Sequence, residues 1–259
     1  MTFPADLELQ RDVPYGPLTD RAHLLDILRP RAVSAPRPAV VHFHGGEWQM
    51  YGKYPEDNVF LAQAGFCTVS ANYRYMQDAA FPAQLEDARA AVRWVRAHAA
   101  ELNVDASHVY TWGISAGGHI AALLGTALED EASRVQGVGA ICAPTDLSDM
   151  TAWAREYADP NGGFAVLLSA RGDARPDLAR SASPLHHVSR TSAPFLIVHG
   201  TRDDTVPISQ ALNLHAALEA AGVSSTLRLL EGGDHFINET HRDAMQHALL
   251  EFFCHLAQS

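Results

Sequence analysis

The sequence predicts an α/β protein whose central sheet is mostly parallel and covered by helices on both faces. Three observations carry this. Short apolar runs without polar alternation recur along the chain, Ala- and Leu-rich or amphipathic segments separate them, and Gly or Pro marks the changeovers. A strand buried on both faces reads as a continuous apolar run, whereas a strand with one wet face alternates.

Taken in order, residues 21–28 and 38–43 are apolar, partly β-branched runs bounded by Pro and Gly, with a Pro-rich polar turn between them. Residues 66–72 (FCTVSAN) follow Ala64 and Gly65, a buried strand entered from a Gly-capped helix end. Segment 81–102 places Leu85, Ala88, Val92 and Val95 on one helical face. Residues 108–112 form a strand running into Gly113, and the Ala/Leu-rich stretch after Ser115 forms a buried helix. Strands at 135–142 and 195–200 follow, then a helix at 209–221, a strand at 225–230, the loop GGDHF and a last helix from about 243 to 256. The least regular part, 146–191, with NGG at 161–163 and RGD at 171–173, is expected to be a small cap-like excursion from the sheet. No repeat or composition break divides the chain, so 1–259 is read as a single domain.

Composition narrows the function classes. The chain has 259 residues, 47% of them hydrophobic, enough to bury a core without staples. A formal net charge of -11 disfavours nucleic acid and anionic membrane surfaces, which are bound by neutralising phosphates. Cys67, Cys142 and Cys254 are odd in number and lack CxxC spacing, so neither a disulfide framework nor a zinc site is expected. The amino-terminal residues do not resemble a signal peptide, and no stretch reaches the roughly 18 apolar residues of a membrane helix. The expectation is a soluble, cytoplasmic protein.

The chemistry concentrates in four places. Residues 113–117 (GISAG) form a GxSxG where a strand meets a helix, the sharp turn that exposes a nucleophilic serine, here Ser115. Upstream, His42-Phe43-His44-Gly45-Gly46-Glu47-Trp48 follows a strand directly. Two glycines there let backbone N–H groups turn toward a developing oxyanion, with the amide of Ala116 as the partner donor. A serine also needs a base oriented by a carboxylate. His235 lies in the Gly-rich loop after the last strand, and Asp203 and Asp204 follow the strand FLIVHG, with Asp146 and Asp234 as rivals. His42 and His44 alternate to one strand face, but no third ligand stands at recognisable spacing, so no metal is expected. Phosphate-binding glycine loops are absent, and no cofactor is expected.

These motifs, with AsnTyrArg at 72–74, APTDL at 143–147, SPLHHV at 183–188 and HGTRDDTVP at 199–207, occur in one order. In that order the chain resembles the α/β-hydrolases, and among them the small HGGxW carboxylesterases of the acetyl, acetyl-xylan and feruloyl esterase type, with kynurenine formamidase as a neighbouring branch. The resemblance implies an α/β-hydrolase fold, Ser115, Asp203 and His235 as the triad, and Gly46, Glu47 and Ala116 as oxyanion donors. Glu47 departs from the commoner Gly or Tyr. Its carboxylate is expected to point away, to pair with a cation such as Lys53 or Arg74, or to contact a polar substrate, because a negative charge aimed into the site would oppose oxyanion formation. The implied activity is hydrolysis of short-chain acyl esters of small molecules, the excursion being too short and polar for a lipase lid. An arylformamidase or small amidase using the same residues is the alternative. Trp48, Trp153 and Phe164 are candidate pocket walls.

Overall fold

The computed structural model describes residues 3–17, 21–32, 35–149, 151–153, 163–168 and 176–258. Eight strands form one sheet in the order β1-β2-β4-β3-β5-β6-β7-β8. They are β1 (Leu7–Pro14), β2 (Leu24–Pro30), β3 (Arg37–Phe43), β4 (Cys67–Ala71), β5 (Val104–Ile114), β6 (Val138–Ile141), β7 (Phe195–Gly200) and β8 (Ser225–Leu230). The pairs β1–β2 and β2–β4 are antiparallel and the remaining pairs parallel. Strand β1 has no counterpart among the predicted strands. Its sequence LELQRDVP sets Leu7 and Leu9 against Glu8 and Gln10, and apart from Leu7 its residues are half-buried or exposed. An edge strand with one wet face carries a weak alternating signal, not an apolar run.

Helices cover the two faces: α1 (Val59–Gln63), α2 (Ala83–Ala97), α3 (Ala99–Leu102), α4 (Ala116–Thr126), Ser209–Ala220 and Arg242–Leu256 are the principal ones. The single helix predicted over 81–102 is two, broken at His98, and the second ends on Asn103 in the left-handed region. The period-2 geometry of β3 divides the core. Ala39, Val41 and Phe43 pack with Leu85, Val92, Ile120 and Leu123 of α2 and α4. Val40 packs on the other face with Leu61, Trp112 and the C-terminal helix residues Met245, Leu249 and Phe253. Full burial of such side chains contributes about 1.5–3 kcal/mol each relative to exposure.

The chain leaves β3 for β4 on one side and returns to β5 on the other, so β3 and β5 are neighbours at a topological switch point. The carboxyl ends of such a pair open a crevice. Both HGG and GxSxG therefore emerge at the same place. The excursion between β6 and β7 contains short helices at Gly163–Leu167, Pro176–Ser181 and Pro184–His187. It is tied back by Phe81 N–H to Leu167 C=O at 2.8 Å and by Leu185 N–H to Thr145 C=O at 2.9 Å. Residues 161–162 and 171–173, singled out in the sequence, lie outside the described residues. No helix among the described residues is long and apolar enough to cross a membrane.

Candidate active site

Ser115 joins β5 to α4 with φ 55° and ψ -122°, a conformation that L-residues with a Cβ adopt only under strain. Its N–H donates to Ile141 C=O at 2.8 Å and its C=O accepts from His119 N–H at 2.9 Å, so neighbours on both sides hold the turn. A Cβ at Gly117 would fall within the carbonyls of Phe43 and His44. Only glycine lets the Ser115 turn approach the end of β3 that closely.

His235 connects the two other candidates. Its Nε2 lies 3.0 Å from Ser115 Oγ and its Nδ1 lies 2.9 Å from Asp203 Oδ2. Asp203 Oδ1 accepts the N–H groups of Thr205 and Val206 at 3.0 and 2.8 Å. Burial alone would raise the Asp203 carboxyl. Hydrogen bonds from His199, His235 and the Val206 N–H outweigh it and hold the group well below the usual carboxylate range. The rivals are engaged elsewhere: Asp146 with Ser148 and His186, Asp234 with Phe236 N–H and Thr240, and Asp204 with Thr205.

The HGG turn carries three consecutive left-handed residues, Gly46 at φ 95°, Glu47 at 51° and Trp48 at 57°. A Cβ at Gly46 would meet Met50 C=O, so that position also requires glycine. His44 Nδ1 bonds Gly45 C=O at 2.7 Å, and the His44 ring stacks on Tyr73 at 4.4 Å. Tyr73 in turn donates its hydroxyl to His44 C=O at 2.9 Å. Burial pushes the His44 imidazole down to about 4, so it is neutral. Among the described residues, the N–H groups of Gly46, Glu47 and Ala116 have no protein acceptor. Glu47 is exposed and its carboxylate accepts from the Gln49 amide at 2.7 Å. It pairs with neither cation named above: Lys53 is bound to Asp12 and Asp26, and Arg74 to Asp87 and Glu86. Those two cations anchor β1–β2 and α2, where buried or clustered carboxylates outcompete an exposed one.

A cleft of about 540 Å³ opens over these groups, lined by His44, Gly46, Glu47, Ser115 and His235 together with Tyr54, Phe236 and Arg242. Tyr51, Tyr54 and Phe236 are exposed at its rim. The expected wall residues are not among those lining it. Trp48, Trp153 and Phe164 are only 3–4% exposed and pack together, with Phe164 centred 5.8 Å from Trp48 and 4.9 Å from Trp153. Large aromatic rings gain from burial in such a cluster, which here joins Trp48 to two residues of the excursion.

A family model described as BD-FAE matches residues 25–218, which span the sheet from β2 through the helix after β7. The chain belongs to the BD-FAE family. Its α/β-hydrolase fold is shared with solved structures: a truncated carbohydrate esterase from gut microbiota aligns over 97% of both chains at 27% identity and a TM-score of 0.85. The esterase Est2 of Thermogutta terrifontis, in its butyrate-bound form, aligns over 97% of this chain and 95% of its own at 25% identity and a TM-score of 0.77. Among curated sequences, the Mycobacterium tuberculosis esterases LipQ and LipC are 31% and 28% identical over 83% and 92% of this chain. The chain spans about half the length of LipQ, 53%, and 67% of LipC.

Within this BD-FAE chain, Cys142, His199 and Asp203 bring three ligand-type atoms within 4.8 Å of one another. They do not fit a metal site. Asp203 is committed to His235 and to two backbone N–H groups, His199 Nε2 bonds Val206 C=O at 2.9 Å, and burial raises the Cys142 thiol far from its thiolate. His42 and His44 also separate. His42 stacks on Trp112 at 4.3 Å on one face of the sheet, whereas His44, beyond the strand end, stacks on Tyr73 of the opposite core. Sequence reasoning did not single out Tyr73, His119 or His199. The first lies in the AsnTyrArg motif and the last in HGTRDD, but which carbonyl or carboxylate each meets depends on long-range pairing.

Proposed function

We propose that this protein is a serine carboxylic-ester hydrolase acting on short-chain acyl esters. The observation that carries the reading is the imidazole of His235 spanning 3.0 Å to Ser115 Oγ and 2.9 Å to Asp203 Oδ2. In this reading His235 Nε2 accepts the Ser115 proton as Oγ attacks the ester carbonyl. Asp203 fixes the tautomer by accepting from Nδ1 and stabilises the imidazolium that forms. The tetrahedral oxyanion is received by the unpaired N–H groups of Gly46, Glu47 and Ala116. Collapse releases the alcohol with the proton carried by His235. Water, deprotonated by the same imidazole, then adds to the acyl-serine and releases the acid.

The similarity to enzymes named esterases supports the reaction class. Preference for acetyl to butyryl groups rests on the shortness and polarity of the 146–191 excursion, and the alcohol would occupy the open cleft against Tyr51 and Phe236. The test is hydrolysis of p-nitrophenyl esters from C2 to C12 by the wild-type protein and Ser115→Ala. Activity that declines beyond C4 and is lost in the variant is expected. More than a few per cent of wild-type kcat in Ser115→Ala removes the serine assignment, and faster turnover of C12 than C4 removes the chain-length assignment.

A further inference from the structure

Trp48 and His119 form a buried polar contact that the reaction scheme above does not use. The Trp48 indole Nε1–H donates to His119 Nδ1 at 3.1 Å, with the rings edge to face at 5.2 Å. The opposite nitrogen, Nε2, lies 2.6 Å from Ala182 C=O. A carbonyl can only accept and an indole N–H can only donate, so the imidazole must carry its proton on Nε2 and a lone pair on Nδ1. Both side chains are essentially closed to solvent, at 3% and 1% exposure.

The contact joins the two halves of the candidate oxyanion site. His119 lies one turn into α4, and its N–H caps Ser115 C=O, so its position is fixed relative to the Ala116 amide. Trp48 follows Glu47, and both are non-glycine residues in the left-handed region, a conformation that is strained for residues with a Cβ. That backbone persists only if surrounding contacts over-determine it. Trp48 supplies two: its C=O accepts Met76 N–H at 2.8 Å, and its indole is held by His119.

We propose that His119 is a positioning residue, and that through Trp48 it holds the Glu47 amide at a fixed separation from the Ala116 amide. The inference rests on the reading of those amides as oxyanion donors and of Ser115 as the nucleophile. Ala182 completes the chain by locking the tautomer from the excursion side. Burial holds the His119 imidazole down at about 4, so the neutral form persists through the working range of an esterase.

The experiment is steady-state hydrolysis of p-nitrophenyl acetate by Trp48→Phe, His119→Leu, their double variant and His119→Asn, with Tm measured for each. Trp48→Phe keeps an aromatic ring and removes the N–H. Loss of an oxyanion donor costs about 100- to 1,000-fold in kcat, so a displaced one should cost about tenfold or more. The expected result is a fall of that size in kcat, KM within about twofold, and a double variant no worse than either single one. His119→Asn, whose amide oxygen can accept in place of Nδ1, should recover much of the loss. Unchanged kcat in Trp48→Phe, a loss residing in KM, or additive effects in the double variant would overturn the proposal. A kcat loss that tracks Tm without rescue by Asn would reduce the contact to packing and overturn it equally. Retained activity in Ser115→Ala, run alongside, would instead overturn the reading beneath it.

Discussion

His199 Nε2 lies 3.3 Å from Asp203 Oδ2, the same oxygen that meets His235 Nδ1. Two imidazoles therefore converge on one buried carboxylate, and His199 shares its Nε2–H between that oxygen and Val206 C=O. A hydrogen bond to a charged buried group is worth about 1.5–3 kcal/mol. His199→Phe is expected to lower kcat/KM about tenfold, while His199→Gln, which keeps a donor, should lose less. Equal activity in Phe and Gln variants would show that the donor is irrelevant to the acid.

The depression of Asp203 also has a stability consequence. Its folded pKa lies below the ordinary value of about 3.9, so the associated stabilisation is complete above roughly pH 4 and is lost as pH falls below it. The stability difference between wild type and Asp203→Asn, measured by urea titration at pH 6 and pH 3, should shrink at the lower pH. A difference that stays constant would contradict the direction of the shift.

Strain at Ser115 should be recoverable as stability. Its φ of 55° with ψ of -122° matches the first central residue of a type II′ turn, a glycine position. Such strain is worth about 1–3 kcal/mol, and about 1 kcal/mol corresponds to roughly 2–4 °C in Tm for a chain of this size. Ser115→Gly is expected to be inactive and to melt a few degrees higher than wild type. A lower Tm than Ser115→Ala would mean the turn is not under strain.

Strand β7 is legible because its apolar run FLIVHG is buried throughout, and STLRLL gives β8 residue for residue although that edge strand is only half-buried or exposed. Strand β1 is not, because its half-wet alternation is short and includes charged residues on both sides. Ser115, Asp203 and His235 could be nominated from loops at strand ends, yet their meeting depends on β5, β7 and β8 lying in order across the sheet. Trp48 ends the HGG motif and Trp153 and Phe164 lie in the excursion, but pattern alone does not say whether a ring at such a place faces the cleft or the core. For Glu47 the sequence left its alternatives open, since nothing in the pattern marks Asp26 and Asp87 as the carboxylates that take Lys53 and Arg74.

In the proposed mechanism Glu47 contributes its backbone and not its charge. Its carboxylate is exposed, hydrogen-bonded to Gln49, and screened by solvent. Glu47→Gln should therefore change kcat/KM on p-nitrophenyl acetate by less than about threefold, since exposed pairs of this kind are worth about 0–1 kcal/mol. A tenfold rise in activity would mean that the charge opposes the oxyanion after all.

Three imidazoles whose burial disfavours protonation add to the loss of stability in acid. Burial lowers His42 to about 3 and His44 and His119 to about 4, against about 6.5 in an unfolded chain. A group with a depressed folded pKa binds its proton first in the unfolded state, so stability is complete above about pH 6.5 and falls as pH drops. The slope is about 1.4 kcal/mol per pH unit for each such histidine, continuing to about pH 4 for His44 and His119 and about pH 3 for His42. His119→Asn isolates one of them, because every other titrating group cancels in the comparison with wild type. The variant should be the less stable protein at pH 7, having lost packing, and the gap should close by about 1.4 kcal/mol per unit between pH 6 and pH 5. A gap that holds steady across that interval would mean that His119 is already protonated in the folded state, and Nδ1 could then not accept the indole N–H of Trp48.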